Sequence, residues 1–335
     1  MIFNTLMSND MNILHQSTIA VCAALSIALP VEAVKAQDYP TKPVHIISGF
    51  GAGSAGDVLV RLLVPKLSQS MGQQFIVEYK PGAGSNIAAE SVVRAPADGY
   101  TLFLGTSANT INATFSRNLS FDFAKDLAPI AQLGSVPNLF VVNPSLGVTN
   151  LREFIALAKA QPGQINYATP GVGTLSHMSG ELLNFLAGIK LVHVPYQSSA
   201  QAMTDVLAGR VTAFFAPVNI VWPHVEAGKL RALATTENKR TPLAPDVPTM
   251  AEAADLPRYE SAIWYGLLAP ARTPPNVIEK LSRAVNEALQ DTNTLAQMRA
   301  QGMGPLGGSS EEFGKAIEAD VVKWKELITS AGLKT

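Results

Sequence analysis

Val44-His45-Ile46-Ile47-Ser48-Gly49-Phe50-Gly51-Ala52-Gly53-Ser54-Ala55-Gly56-Asp57 is the stretch that decides the fold. A short buried strand, residues 44–47, runs into a glycine-rich loop. From Asp57 the apolar residues Val60, Leu63, Val64, Leu67 and Met71 recur at helical spacing until Gly72 stops them. Working outward, residues 74–79 read as a second strand, 86–94 as a helix with Ser85 as its N-cap, and 100–105 as a third strand. A βαβαβ run of this kind calls for a parallel sheet covered on both faces.

The alternation restarts further along. Asn150-x-x-Glu153 caps a helix to 160, followed by strand 165–168, helix 175–186, strand 191–195, helix 200–207 and strands 211–216 and 232–235. Helices over 274–291 and 310–330 complete the chain. Two apolar runs, 139–144 and 261–268, bracket the second α/β unit. A chain that leaves one lobe and returns to it makes a two-strand hinge. The sequence therefore predicts an α/β protein of two lobes, each a mostly parallel sheet flanked by helices. There is no tandem repeat of fixed period.

Length and composition agree with this. The 335 residues suffice for two domains, and 47% hydrophobic residues with 15% charged ones describe a folded chain. With 25 Lys and Arg against 26 Asp and Glu, the net charge of −1 gives no basic surplus for nucleic acid. One Cys excludes an intrachain disulfide framework and a Cys-rich zinc site. That Cys22 lies in the apolar stretch 17–30, which has the length of a signal-peptide core and is too short to span a bilayer. Val34-Lys35-Ala36 follows as a small-x-small cleavage site, although the segment before the core has no Lys or Arg. Residues 1–36 are thus expected to be a signal peptide cleaved near Ala36, the alternative being an N-terminal anchor. Removing Asp10, Glu32 and Lys35 with it leaves the charges balanced.

Three glycine-rich loops precede helices: 49–57, 81–85 and 170–176. Glycine lets backbone approach a ligand, and the unpaired amides and dipole of a helix start favour an anion, carboxylate or phosphate. Gly51-x-Gly53-x-x-Gly56, with Glu78 near the end of the next strand, also matches the dinucleotide-binding pattern, so a nicotinamide-dependent oxidoreductase is one alternative. The export signal and the similar loop in the second lobe weigh against it.

Outside the signal segment the histidines are His45, His177, His193 and His224, none in a metal-binding spacing. Ser176 and His177 adjoin in the third loop, where a hydrolase would want G-x-S-x-G. That pattern is absent, so both read as hydrogen-bonding groups for a ligand. His45 and His193 read as structural. Trp264 and Tyr265 either line a cleft or fill the core, and Asp57 either reads a ligand or complements the helix dipole.

Beyond these readings, a series of motifs carries a family resemblance. It runs from Tyr39-Pro40-x-Lys42-Pro43 through Pro81-Gly82-Ala83-Gly84-x-Asn86-Ile87, Asp98-Gly99-Tyr100-Thr101-Leu102 and Leu191-Val192-His193-Val194-Pro195-Tyr196. It continues through Ala227-Gly228-Lys229-Leu230-Arg231-Ala232-Leu233-Ala234, Pro245-Asp246-Val247-Pro248-Thr249 and Trp264-Tyr265-Gly266-Leu267-Leu268-Ala269-Pro270. In order and spacing the chain resembles the Bug-type periplasmic solute receptors of tripartite tricarboxylate transporters.

The resemblance implies a type II-like Venus-flytrap binding protein of the periplasm. Lobe 1 would be 37–140 plus 262–335, and lobe 2 would be 141–261. A small carboxylate, with one, two or three carboxylates and possible aromatic character, would be captured between them and delivered to a membrane permease. It also implies a monomer with no cofactor, metal or catalytic residue; a ligand sensor for a signalling partner is the related alternative. By position, the site implied is Phe50, Gly51, Ser54, Ala55, Gly56 and Asp57 of the first loop, and Thr169, Gly171, Gly173, Thr174, Ser176 and His177 of the opposing loop. Thr106, Ser107, Ala108, Tyr196, Ala216 and Asn219 complete it. Many relatives carry Pro-Phe-Pro-Pro-Gly-Gly where this chain has Gly49-Phe50-Gly51-Ala52-Gly53-Ser54, which implies a more pliable loop with an added hydroxyl. The absence of Arg from both principal loops argues against a phosphate ester.

Overall fold

The computed structural model describes residues 39–116, 119–330 and 332–333. The expected signal peptide lies outside them.

β1 (Val44–Ser48), α1 (Ala55–Met71), β2 (Phe75–Tyr79), α2 (Asn86–Val93) and β3 (Thr101–Thr106) form the expected βαβαβ run. α1 starts where the Ser54 hydroxyl accepts from the Asp57 amide, and it ends at Gly72, whose φ of 70° returns its amide to the Ser68 carbonyl. Ser85 does stand at the start of α2. With φ at 78°, however, its side chain makes no capping bond, and its hydroxyl is buried without a partner. After β3 come α3 (Ser107–Phe115), α4 (Phe123–Asp126) and β4 (Leu127–Val142). The second unit holds α5 (Leu151–Ala160), β5 (Asn166–Thr169), α6 (Leu175–Ala187), β6 (Val192–Pro195), α7 (Ser199–Leu207), β7 (Ala213–Pro217), α8 (Val218–Glu226), β8 (Arg231–Thr235) and α9 (Met250–Ala254). β9 (Ala262–Pro270), α10 (Pro275–Gln290), α11 (Thr292–Ala300), β10 (Gly304–Gly307) and α12 (Ser310–Ser330) follow.

The strands run in the order β2-β1-β3-β9-β4-β7-β5-β6, with β8 and β10 also paired to β4. β1 is parallel to β2 and β3, and β5 is parallel to β6 and β7, so each flank has the expected parallel arrangement. The middle is antiparallel, because β4 and β9 carry the chain out of one half and back. From Leu127 to Pro137, β4 pairs with β9; from Asn138 to Val142 it pairs with β7. The return passes beside it. The Ser261 amide donates to the Thr236 carbonyl at 2.9 Å, and the Thr236 amide donates to the Asn138 carbonyl at 3.0 Å.

β4 begins well before the apolar run at 139–144 that marks it in the sequence. Pro129, Gly134 and Pro137 interrupt its pattern, and two register shifts against β9 absorb Pro129 and Gly134. α3 is similarly hidden, since it buries Asn109, Thr110 and Asn112 along with Ile111 and Phe115 and so lacks a polar face.

Each half has its own core. In one, Ile47, Phe103, Phe123, Leu268 and Phe313 pack together; in the other, Phe140, Phe154, Tyr167, Leu183 and Phe215 do. Phe140 stacks on Phe215 with centroids 4.3 Å apart and meets Phe154 edge-on at 4.8 Å.

Candidate functional site

Loops at the carboxyl ends of β1, β3, β5, β6 and β7 each open a helix, and these helix starts meet at one place. A 40 Å³ inner chamber is lined by Ser54 and Ala55 of α1, Thr106 and Ala108 of α3, Thr174, Leu175 and Ser176 of α6, Ser199 of α7 and Pro217 before α8. Phe50, Pro170, Ile263 and Tyr265 close it. Its size suits about three water-sized groups. Ala55, Ala108, Leu175 and Ser176 lie in first turns, where no intrahelical carbonyl reaches the amide. The chamber is thus bounded by five helix starts, whose dipoles present their positive ends to it, and among the described residues no charged side chain lines it.

Two wider chambers, of 340 Å³ and 700 Å³, share Phe50 and Pro170 with the inner one. The 340 Å³ chamber adds Ala200, Met203, Ile220 and His224; the 700 Å³ chamber adds the loop 81–85, Val172, Tyr196 and Gln201. Among the described residues no Lys or Arg lines any of the three.

The expected site residues divide into those on a chamber surface and those behind it. Phe50, Ser54, Ala55, Thr106, Ala108, Thr174 and Ser176 line the inner chamber, and Gly51, Gly171 and Tyr196 line the wider ones. Tyr196 donates its hydroxyl to Asp205 at 2.7 Å; burial, then that bond, raises the phenol to about 12.

Behind the first loop is Asp57. Its buried carboxylate accepts from the Gly53 amide at 2.8 Å, Arg61 Nε at 2.8 Å and the Tyr79 hydroxyl at 2.7 Å, so it pins the loop and does not line a chamber. Arg61 also donates to Tyr79 at 2.5 Å. Gly56 packs on Tyr265: a Cβ there would lie 2.6 Å from the ring, and the Gly56 amide donates to the Tyr265 hydroxyl. Trp264 instead donates to Asp320 at 2.8 Å and packs edge-on against Phe313, within the core.

Behind the second loop is a neutral stack. His177 lies 4.0 Å from His193, and His193 lies 5.2 Å from Tyr167. Burial, then His193, lowers His177 to about 3, and burial lowers His193 to about 4, so both rings are neutral at pH 7. The Gly173 amide donates to His177 Nδ1 at 3.3 Å, and Thr169 Oγ1 meets His193 Nε2 at 2.6 Å. Gly173 has φ of 73°, and a Cβ would lie 2.4 Å from Asn112 Oδ1. Asn112 Nδ2, on α3 of the other half, donates to the Gly173 carbonyl at 3.1 Å and so joins the halves across the cleft.

Thr174 both caps α6, accepting from the His177 amide at 3.3 Å, and donates to the Gly171 carbonyl at 2.8 Å. Its hydroxyl proton is thereby committed within the loop. Ser107 is buried beside Ala108 with its hydroxyl unpartnered; Asn219 Oδ1 is also buried and unpartnered, and Ala216 is buried in β7. Neither Asn219 nor Ala216 lines a chamber, whereas their neighbours Ile220 and Pro217 do.

Sequence reading passed over Pro170, Ser199, Pro217, Ile263, Met203, Ile220 and His224. One signal was present: Ser198 and Gln201 have the spacing of a helix start, and Ser198 accepts from the Gln201 amide at 3.3 Å. The pattern Gly51-x-Gly53-x-x-Gly56 does open α1, but Gly56 packs on Tyr265, and Glu78, the acid that would hold a ribose, bonds His45 at 2.6 Å.

A family profile described as the tripartite tricarboxylate transporter family receptor matches residues 59–333. BugT of Bordetella pertussis is 33% identical over 314 residues, which are 93% of this chain and 95% of that protein. Among solved structures, R. palustris Rpa4515 with adipate has a TM-score of 0.84 at 34% identity, covering 88% of this chain and 98% of that one. MatC of Rhodopseudomonas palustris with bound malate has a TM-score of 0.82 at 26% identity, covering 87% of this chain and 100% of that one.

Proposed function

The chain belongs to the tripartite tricarboxylate transporter receptor family, whose members are solute-binding receptors of the periplasm, and we propose that it captures a small carboxylate and hands it to a membrane permease. The observation that carries this reading is the inner chamber, where the first turns of α1, α3 and α6 meet at Ala55, Ala108, Leu175 and Ser176 and, among the described residues, no carboxylate lines the wall. Such a surface stabilises a carboxylate head through amides and helix dipoles, without an Arg clamp.

The cleft works by closure. Residues 37–140 with 262–335 form one lobe and 141–261 the other, and the crossings at Asn138 and Ser261 are where they turn. Ala55 and Ala108 belong to the first lobe, Leu175 and Ser176 to the second. A carboxylate touching both sets stabilises the closed form by its preference for that form alone. The protein is exported to the periplasm after cleavage near Ala36 and acts as a monomer. It carries out no chemistry of its own, and His177 serves the wall as a neutral acceptor for Gly173.

The test is a thermal-shift screen of residues 37–335 against mono-, di- and tricarboxylates, aromatic acids and NAD(H). A carboxylate at 100 times its dissociation constant adds about 2.7 kcal/mol of stability and raises the melting temperature. A response to NAD(H) alone would overturn the proposal.

A further inference from the structure

We propose that the preferred ligand is a monocarboxylate with an uncharged, mainly apolar tail, the tail occupying the 340 Å³ chamber between Phe50, Met203 and Ile220. The inference rests on the carboxylate reading above and specifies its ligand class.

The inner chamber, at 40 Å³, takes a carboxylate head and little more. Anything attached to that head must continue past Phe50 and Pro170, the two residues common to all three chambers. On one side the 340 Å³ chamber presents the side chains of Phe50, Pro170, Ala200, Met203 and Ile220, and its volume is in the range of small-molecule sites. Its polar side chains are Ser198, Ser199, Gln197 and His224, the last on the final turn of α8. On the other side the 700 Å³ chamber is walled by the glycines and prolines of loops 49–51, 81–85 and 170–172 with Tyr196, Gln197 and Gln201, so a tail there would lie against loop backbone and polar side chains more than against the Met203 and Ile220 side chains.

A second carboxylate reaching into the 340 Å³ chamber would leave water for an apolar wall with no Lys or Arg among the described residues. An ionised group buried without a partner is strongly disfavoured. An aliphatic chain or ring loses nothing there and gains contact with Met203 and Ile220. A neutral hydrogen-bonding group at the tail's end is compatible with His224.

Hexanoate and adipate make a matched pair, with the same chain length and one carboxylate against two. Calorimetric titration of residues 37–335 is expected to give hexanoate at least about tenfold tighter binding. Ile220→Lys places a cation in the chamber wall and is expected to move the ratio toward adipate by about tenfold or more. Equal or tighter binding of adipate by the unaltered protein overturns this inference and leaves the carboxylate reading standing. An unchanged ratio in a folded Ile220→Lys protein removes the tail from this chamber, and failure of every acid to bind overturns the carboxylate reading itself.

Discussion

The two glycine loops that face each other across the cleft do the same mechanical work with opposite chemistry. Behind the first, an ionised group carries the load: buried Asp57 gathers the Gly53 amide, Arg61 and Tyr79. Behind the second there is no ion pair of comparable closeness among the described residues. Thr169, His177 and His193 brace the loop as uncharged rings and hydroxyls, and His177 Nε2 lies 4.0 Å from Glu181. A helix start can thus be held rigid by charge or by a neutral stack, and in both cases the bracing groups sit behind the surface. Among the described residues neither arrangement puts a charged side chain on the wall of the inner chamber, which leaves the helix starts as its strongest electrostatic feature.

The largest consequence of this contrast falls on the first loop. Asp57→Ala removes three hydrogen bonds to one buried carboxylate, and is expected to cost about 2–3 kcal/mol of stability, read as a lower urea midpoint. Asp57→Asn should recover part of that loss. A loss below about 0.5 kcal/mol would show that the loop does not depend on its anchor.

Acid should single out the second loop. His177 and His193 have folded values of about 3 and about 4 against the usual 6.5, so between those limits the unfolded chain binds more protons than the folded one. Their contribution is fully present above pH 6.5 and is lost as the pH falls toward the folded values, on the order of 2–3 kcal/mol for each ring by pH 4.5. Glu237, raised to about 7 by burial and then Glu260, acts in the opposite sense, since its folded carboxyl holds a proton that the unfolded one releases. Comparing His177→Phe with the unaltered protein cancels that background. The variant should lose stability at pH 7.5, where the Gly173 amide lacks its acceptor, and should show a flatter melting profile between pH 6.5 and 4.5. Parallel profiles would mean the ring takes up a proton without penalty.

The smallest effect separates Thr174 from Ser176. Thr174→Ala removes a cap and should cost about 1 kcal/mol of folding stability. Ser176→Ala should leave stability nearly unchanged and weaken carboxylate binding by about 1 kcal/mol, because its hydroxyl has no partner among the described residues. Equal effects of the two changes on both properties would erase the distinction between the wall and what stands behind it.

Much of this was legible in the residues. The loops at 49–57 and 170–177 announce themselves through glycines and cap residues, because helix starts are specified locally. Only the end of β4 was legible, in the apolar run from Leu139, since Pro129, Gly134 and Pro137 mask an earlier part that its bulged pairing with β9 makes continuous. α3 was not legible either, because a helix buried between two halves carries Asn109, Thr110 and Asn112 where an amphipathic pattern would have apolar residues. Asp57 could be seen as a first-turn acid. Its bracing role depends on Tyr79, which lies 22 residues away and reaches it only through the β1–β2 pairing. Tyr265, in an apolar run, read more readily as core than as cleft wall, and it is both: it packs on Gly56 and lines the inner chamber.

The central claim is that one carboxylate is gripped by helix starts from both lobes at once. A crystal structure of residues 37–335 grown with the acid that gives the largest thermal shift tests it most directly. The account predicts carboxylate oxygens at about 3 Å from amides at Ala55 or Ala108 on one side and at Leu175 or Ser176 on the other. A carboxylate seated in the 700 Å³ chamber, or held by one lobe alone, would contradict it.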